Sequence, residues 1–165
     1  MCNLDIYGKA EIGKGIAGIK FGDRIENFLP LVKTVVDGNK IPWTTDIYID
    51  NESVLMYIVP NDNGNIIYFS NPELKLGFNA QGSLDVVIAG KGYKGEVFEG
   101  GVKIGSRIGD IKHPLVLDDS EDVHYLMDED GEVIHGIYFV ADGLEVDDDP
   151  DQKIQEVRVY NHDLK

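Results

Sequence analysis

Runs of β-branched and aromatic residues recur along most of the chain and are separated by residues that favour turns. Turn signals include Asn63-Gly64, Asn71-Pro72, Gln81-Gly82 and Asp130-Gly131. Apolar runs bounded in this way are typical of antiparallel strands. The pattern predicts strands at residues 47–49, 54–59, 66–69, 74–78, 84–89, 123–127, 133–140 and 154–160.

Two other segments have helical spacing. The first follows Asp23, a suitable N-cap, and contains Pro30, which is expected to break or kink the helix. The second follows Ser106 and is shortened by Gly109 and Pro114. We therefore predict a short helix before each proline. The apolar positions of the first helix are Ile25, Phe28, Leu29, Val32 and Val36.

These helix starts belong to an internal repeat. GIKFGDRI begins at Gly18 and GVKIGSRI begins at Gly101, and a constant offset of 83 residues separates the matching positions. Such a repeat indicates two related structural units. The sequence predicts an α+β fold of two tandem helix-plus-antiparallel-meander repeats, residues 1–90 and 91–165, with the helices packed on one face of the sheet or sheets. The two repeats are expected to form one compact unit.

Glycines crowd the join between the two predicted repeats, from Gly90 to Gly101. This composition is compatible with a flexible linker or with a bent edge strand. Tyr93 and Phe98 lie in the same stretch, and large aromatic side chains favour burial. We therefore expect a structured connection.

The charge of the chain is concentrated in one region. The 165 residues carry a formal charge of −15, and residues 118–151 contain fourteen Asp or Glu and no Lys or Arg. A field of this sign repels phosphate groups, which argues against nucleic acid and anionic membranes as partners, and it attracts basic proteins. Asp128-Glu129-Asp130-Gly131 is predicted to be a hairpin turn, so two other acidic loops, 118–122 and 142–151, remain to be explained.

A single cysteine, Cys2, is present, so no disulfide can form within the chain. This is typical of reducing compartments. The first ten residues lack the apolar run of a signal peptide, and no segment has the roughly 20 apolar residues of a membrane span. A cytoplasmic protein is expected.

No motif for catalysis, cofactor binding or metal binding stands out. The four histidines lack zinc-type spacing, the acidic turns lack the EF-hand frame, and the GxGxxG match at Gly13 to Gly18 lacks a βαβ unit. His124 and His135 could face one another across one hairpin, but two ligands do not make a site. We predict no catalytic residue, cofactor or metal, although paired carboxylates leave a small hydrolase open as an alternative.

The tandem pattern of apolar-x-Gly-[Asp/Ser]-x-apolar starts, each followed by a meander, resembles the β-lactamase-inhibitor-protein-like architecture. It is also similar to small bacterial immunity proteins, including those of contact-dependent growth inhibition systems. The resemblance is carried by residues 18–32 and 101–116 and by the strand runs after them. It implies a non-enzymatic inhibitor, and no binding residue can be transferred from it.

Charge and resemblance together predict an immunity protein that neutralises a basic toxin, with a nuclease as the expected kind. Nuclease toxins must hold phosphate, so an acidic protein could block their substrate groove. The alternatives are an accessory module that binds a small ligand and, third, the carboxylate hydrolase. The predicted partner-binding residues are Asp118, Asp119, Glu121, Asp122, Tyr125, Asp142, Glu145, Asp147, Asp148, Asp149 and Asp151.

Overall fold

The computed structural model describes residues 4–37, 54–58 and 64–163. Strands dominate these residues, and the predicted strand at 47–49 lies outside them. All the other predicted strands are present, with bounds shifted by two residues at most. The strands are β1 (Gly15–Ile16), β2 (Ile19–Lys20), β3 (Thr34–Asp37), β4 (Val54–Ile58), β5 (Asn65–Ser70), β6 (Glu73–Phe78), β7 (Leu84–Ala89), β8 (Leu115–Asp118), β9 (Val123–Met127), β10 (Val133–Val140) and β11 (Glu156–Tyr160).

Nine of these strands form one sheet in the order β3-β4-β5-β6-β7-β11-β10-β9-β8, and β1 and β2 form a separate hairpin. Each half contributes a meander, β4 to β7 and β8 to β11. The two meanders join where β7 and β11 pair in antiparallel register, with Val87 opposite Val159 and Ala89 opposite Val157. Neighbouring strands are antiparallel except for β3 and β4. The two halves therefore share one continuous sheet.

The predicted α+β class is wrong, because the described residues contain no α-helix and no helix layer packs on the sheet. They contain only 3-10 helices of three residues each, Ile25–Asn27, Leu29–Leu31 and Ile108–Asp110. Pro30 cannot donate a backbone hydrogen bond, and the segments before Pro30 and Pro114 are too short to repay helix nucleation. Within the part of the chain that the structure describes, no helix has the length and apolarity needed to cross a bilayer.

The residues predicted as helix caps instead close turns on the backbone three residues before them. The Asp23 carboxylate accepts the Lys20 N–H at 2.9 Å, and the Ser106 hydroxyl oxygen accepts the Lys103 N–H at 3.0 Å. Neither caps the 3-10 helix that follows it. Asp and Ser favour such local side-chain to backbone bonds, which compete with helix formation.

The repeated segment also docks in the same way in both halves. The Leu84 N–H donates to the Asp23 carbonyl at 2.9 Å, and the Ile154 N–H donates to the Ser106 carbonyl at 2.9 Å. Leu84 begins β7, and Ile154 lies just before β11. The repeat therefore ties the start of each half to the strand at the centre of the sheet.

One face of the sheet carries the core, and no other described segment covers the opposite face, which we call the open face. Phe28, Phe78 and Phe139 are the largest fully buried side chains, and Phe28 and Phe78 meet edge to face at 5.4 Å between ring centroids. The core face is covered by the β1–β2 hairpin, the short 3-10 helices and the connections, with no α-helix among the described residues. Tyr93, with 3% of its surface exposed, donates its hydroxyl to the Gly8 carbonyl, which confirms the structured connection after Gly90.

Candidate functional site

The open face of the sheet carries a row of residues in direct register across β8 to β11. Val116 lies opposite Tyr125, Tyr125 opposite Tyr138, and Tyr138 opposite Arg158. Because side chains alternate between the two faces of a strand, these four side chains share one face while their neighbours enter the core. The row thus places aromatic side chains on the open side of the second meander.

The Tyr138 ring contacts two other tyrosine rings, one on each neighbouring strand. The ring centroids of Tyr125 and Tyr138 are 5.3 Å apart, and those of Tyr138 and Tyr160 are 5.8 Å apart. We call Tyr125, Tyr138 and Tyr160 the tyrosine row. All three side chains are half-buried by their neighbours. Rigid, partly exposed tyrosines of this kind are enriched where proteins bind partners.

A bulge in β10 shapes the surface beside the tyrosine row. The pairing with β9 shifts between Ile134 and Tyr138, and Gly136 within the bulge has a φ of +104°. Gly13, from the loop before β1, lies against the bulge and donates its N–H to the Gly136 carbonyl at 3.4 Å. The bulge leaves His135 exposed and returns Tyr138 to the open face. Bulges commonly redirect side chains in this way next to functional sites.

A groove of about 560 Å³ lies on the open face next to edge strand β8. Its apolar walls are formed by aliphatic and aromatic side chains, and carboxylates lie at the end where β8 turns into β9. We call it the Tyr125 groove. The residues that line it are Val116, Leu117, Asp118, Asp119, Ser120, Tyr125, Val133, His135 and Tyr160.

Asp118 is held in place and in its charged form. Its Oδ1 atom accepts the Ser120 hydroxyl at 2.6 Å and the Ser120 N–H at 3.0 Å. The pKa of the Asp118 carboxyl lies below its usual range. The bond from the Ser120 hydroxyl is the main cause, and the bonds from backbone N–H groups lower the pKa further. A carboxylate that accepts several hydrogen bonds is stabilised as the anion. The groove therefore carries a fixed negative charge at this end.

The Tyr125 ring lies in the field of these acids. Burial raises the pKa of the Tyr125 phenol most, the neighbouring Tyr138 and Tyr160 add to the shift, and the charges of Asp118 and Glu121 add further. The phenol therefore stays neutral at physiological pH. The groove combines a neutral aromatic surface with a negative potential, which is the environment that a cationic side chain prefers.

The two acidic loops lie at the same end of the sheet, because β8 and β10 are both antiparallel to β9. They are also neighbours, since a Cβ built on Gly143 would lie 3.1 Å from Asp122 Oδ1. However, the loop at 142–151 lies on the core side of the sheet, where the Leu144 carbonyl meets His124 Nε2 at 2.9 Å. His124 and Tyr125 point to opposite faces. The structure thus brings Asp118, Asp119 and Tyr125 together and places the second loop behind them.

Several acids of the second loop have partners within the chain. Asp151 Oδ1 lies 3.2 Å from Arg107 Nη1, and Asp142 Oδ1 accepts the Gln155 amide at 2.6 Å. Asp149 Oδ1 accepts the Asp151 N–H at 3.0 Å. The side chains of Glu145, Asp147 and Asp148, in the same loop, are exposed. The loop therefore contributes negative charge to this end of the molecule but only part of its carboxylate surface is free.

The remaining acidic segment is a hairpin turn, as predicted. Asp128 Oδ1 accepts the N–H groups of Asp130 at 2.9 Å and Glu132 at 2.8 Å, and Gly131 has a φ of +83°. The turn joins β9 to β10 at the opposite end of the sheet from the two acidic loops. The Asp128 carboxylate thus stabilises the backbone of the turn.

The histidines do not pair as the sequence suggested. His124 is fully buried and His135 is exposed, so the expected contact across the hairpin is wrong. His135 stacks instead on His162, with the two parallel rings 4.1 Å apart. Among the residues described, no group of three or more His, Cys, Asp or Glu side chains could hold a metal ion.

Comparison with protein families, with curated proteins and with solved structures finds no significant match to this chain. The resemblance to bacterial immunity proteins therefore stays a prediction.

Sequence reasoning found the carboxylates and Tyr125 but missed most of the groove. Val116, Val133 and Tyr160 also line the groove, and the sequence did not single them out as site residues. The alternation of Val157, Arg158, Val159 and Tyr160 is a signal that could have placed Tyr160 on the open face.

Proposed function

We propose that this protein binds a basic protein partner, and more specifically that it is an immunity protein that neutralises a basic toxin such as a nuclease. The observation that carries the proposal is the Tyr125 groove, where an aromatic and aliphatic surface adjoins the carboxylates of Asp118 and Asp119. The negative end formed by loops 118–122 and 142–151 supports it. A surface of this kind fits a partner that presents cationic side chains on an apolar base.

The groove and the acids are expected to act on different steps of binding. Charges at the rim of an interface mainly raise the association rate, whereas buried aromatic residues at the centre mainly set the dissociation rate. The acidic loops would therefore guide the partner, and Tyr125 would hold it. A nuclease fits because the surface that binds phosphate must be basic.

The test begins with the product of the gene beside the coding sequence, which for an immunity protein should be a toxin. Binding of the two purified proteins should be tight, and the association rate should fall as salt is added. Replacing Asp118 and Asp119 by Asn should slow association, and replacing Tyr125 by Ala should speed dissociation.

A matched control removes charge away from the groove. Glu129 and Asp130 lie on the hairpin turn at the opposite end of the sheet, so Glu129→Gln with Asp130→Asn should change the rates much less. A neighbouring product without toxic activity, or an association rate that does not depend on salt, would count against the proposal.

A second cavity gives the small-ligand alternative a specific basis. A cavity of about 720 Å³ lies at the seam between the two meanders and is lined by Glu73, Lys91, Tyr93 and Glu156, among others. Lys75 joins the two carboxylates, with its Nζ 3.5 Å from Glu73 and 3.6 Å from Glu156. A screen of small polar molecules for protection against thermal unfolding tests this alternative.

A further inference from the structure

Two cations on the open face of the sheet are bound in the same way. The Arg158 guanidinium carbon lies 5.5 Å from the centroid of the Tyr138 ring, and its Nη2 donates to Glu156 Oε1 at 3.0 Å. Lys75 Nζ lies 5.6 Å from the Tyr68 ring centroid and is also paired with a carboxylate, that of Glu73. Each cation thus has an aromatic ring on one side and a carboxylate on another, an arrangement that stabilises positive charge.

The surroundings of Tyr125 provide two of the three groups of this arrangement, an aromatic ring and neighbouring carboxylates. Asp118 and Glu121 are close enough to affect the ionisation of its phenol. Yet in residues 4–37, 54–58 and 64–163 no Lys or Arg lies over the Tyr125 ring. The rings of Tyr138 and Tyr68 are covered by cations from this chain, whereas the Tyr125 ring lines an open groove.

We propose that the Tyr125 groove binds an arginine side chain of the partner, with the guanidinium against the Tyr125 ring and hydrogen-bonded to Asp118 or Asp119. This inference rests on the proposed function and specifies the chemistry of its site. The internal Arg158 pair shows the same three chemical groups in contact within this sheet. The carboxylates supply the charge, and the ring supplies the surface.

Arginine fits this groove better than lysine. The guanidinium is planar and weakly hydrated, so it can stack on a ring and bond to a carboxylate at once, whereas the ammonium is compact and strongly hydrated. Val116 and Val133 line the groove and offer apolar surface to the three methylenes of the arginine stem. Asp118 is already held in its anionic form by Ser120, so little reorganisation is needed when the cation arrives.

The inference can be tested without the partner by titrating the protein with short peptides and following backbone amide signals by NMR. The probes are Gly-Arg-Gly, Gly-Lys-Gly and Gly-citrulline-Gly, each blocked at both ends. The arginine peptide should shift the signals of Val116, Tyr125 and Val133 and should bind at least about threefold more tightly than the lysine peptide. Citrulline, which has the same shape without the charge, should not bind.

Variants separate the ring from the charge. Tyr125→Leu should remove the preference for arginine over lysine, whereas Tyr125→Phe should keep it because the aromatic face is retained. Asp118→Asn should weaken both charged peptides. Glu129→Gln, which removes one acid from the far hairpin turn, should change neither, and the amide spectrum of each variant shows whether it is folded.

The outcomes distinguish this inference from the proposed function. Equal binding of the arginine and lysine peptides that survives Tyr125→Leu would overturn the arginine site while leaving an electrostatic interface with a basic protein intact. Absence of any shift at the groove would also overturn it. Arginine selectivity that depends on Tyr125 would support the site even if the neighbouring gene product proved not to be a toxin.

Discussion

At the scale of single residues, Gly136 is a position where the bulge of β10 permits no side chain. Its φ is +104°, and an added Cβ would lie 2.8 Å from the Gly13 nitrogen. We expect Gly136→Ala to lower the free energy of unfolding by at least about 3 kcal/mol, because a clash with backbone adds to the conformational cost. Urea denaturation measures this loss.

Gly131 provides the control, since it has a similar positive φ of +83° but open space around the added Cβ. Gly131→Ala should cost about 1 kcal/mol, the conformational part alone. Equal losses for the two substitutions would show that the Gly13–Gly136 contact does not support the bulge.

A second residue-scale prediction concerns the charge of Asp118. The Ser120 hydroxyl is the main cause of its lowered pKa, so Ser120→Ala should raise that pKa towards the ordinary value while the backbone bonds keep part of the shift. Because the pKa is lowered in the folded state, the linked stability is present above the unfolded pKa and is lost as the pH falls through the folded pKa. The free energies of unfolding of the variant and the parent should therefore differ at neutral pH and converge in strong acid.

Carboxyl ¹³C NMR titration measures the Asp118 pKa directly. Ser106→Ala is the matched control, because the Ser106 oxygen accepts a bond from the Lys103 N–H and contacts no carboxylate in the described part of the chain. An Asp118 pKa that is the same in Ser120→Ala and in the parent would contradict the assignment.

Among the elements, the connection from β10 to β11 is anchored on the core side by the buried Gln152 side chain, in addition to His124. The Gln152 amide oxygen accepts the N–H of Asp142 at 3.0 Å, and its nitrogen donates to the carbonyls of Leu144 at 2.7 Å and Asp149 at 2.9 Å. Gln152→Leu keeps the size but leaves the Asp142 N–H and the Asp149 carbonyl without this partner, so we expect the free energy of unfolding to fall by about 2–4 kcal/mol and hydrogen exchange in the loop to become faster. Gln155→Leu, at an exposed neighbour, should cost far less, and a similar cost for both would argue against the buried anchor.

The strands show what could be predicted from the sequence. The bounds of β7, β9 and β10 were predicted correctly because β-branched residues lie between strong turn signals. Both predicted helices were wrong. In the first, the spacing of Ile25, Phe28 and Val32 was given more weight than Pro30, and β3 was missed for the same reason. In the second, the segment between Ser106 and Pro114 forms only a 3-10 helix of three residues. The repeat was found, but its role in docking each half onto β7 or β11 depends on contacts between distant segments.

The groove shows why the site was only partly predictable. Asp118, Asp119 and Tyr125 were named from charge and aromatic character, yet nothing in the sequence says that loop 142–151 crosses to the core side of the sheet. The bulge of β10 changes which residues share a face, and it depends on the approach of Gly13 from the other end of the chain. Such a contact has no local pattern.

In the whole molecule, the pairing of β7 with β11 joins the two halves in one sheet. The core includes buried residues of both meanders, with Leu76 and Val87 from the first and Phe139 and Val157 from the second. A disturbance in one half therefore removes neighbours from the other. The repeated sequence motif therefore does not mark two separate sheets with separate cores.

The concentrated negative charge should make the stability of the whole molecule depend on salt. Fourteen acids without a single Lys or Arg occupy residues 118–151, and loops 118–122 and 142–151 meet at one end of the sheet. Raising NaCl from about 0.05 M to about 0.5 M shortens the Debye length from roughly 14 Å to roughly 4 Å, so mutual repulsion should weaken and the melting temperature should rise.

Asp147→Asn with Asp148→Asn, at exposed positions of this end, should raise the melting temperature in low salt and reduce the gain from added salt. Lys14→Gln, which removes an exposed positive charge beside the Gly13–Gly136 contact rather than at this end, should not reproduce that effect. A melting temperature that falls as salt is added would mean that attractive pairs such as Arg107 with Asp151 outweigh the repulsion.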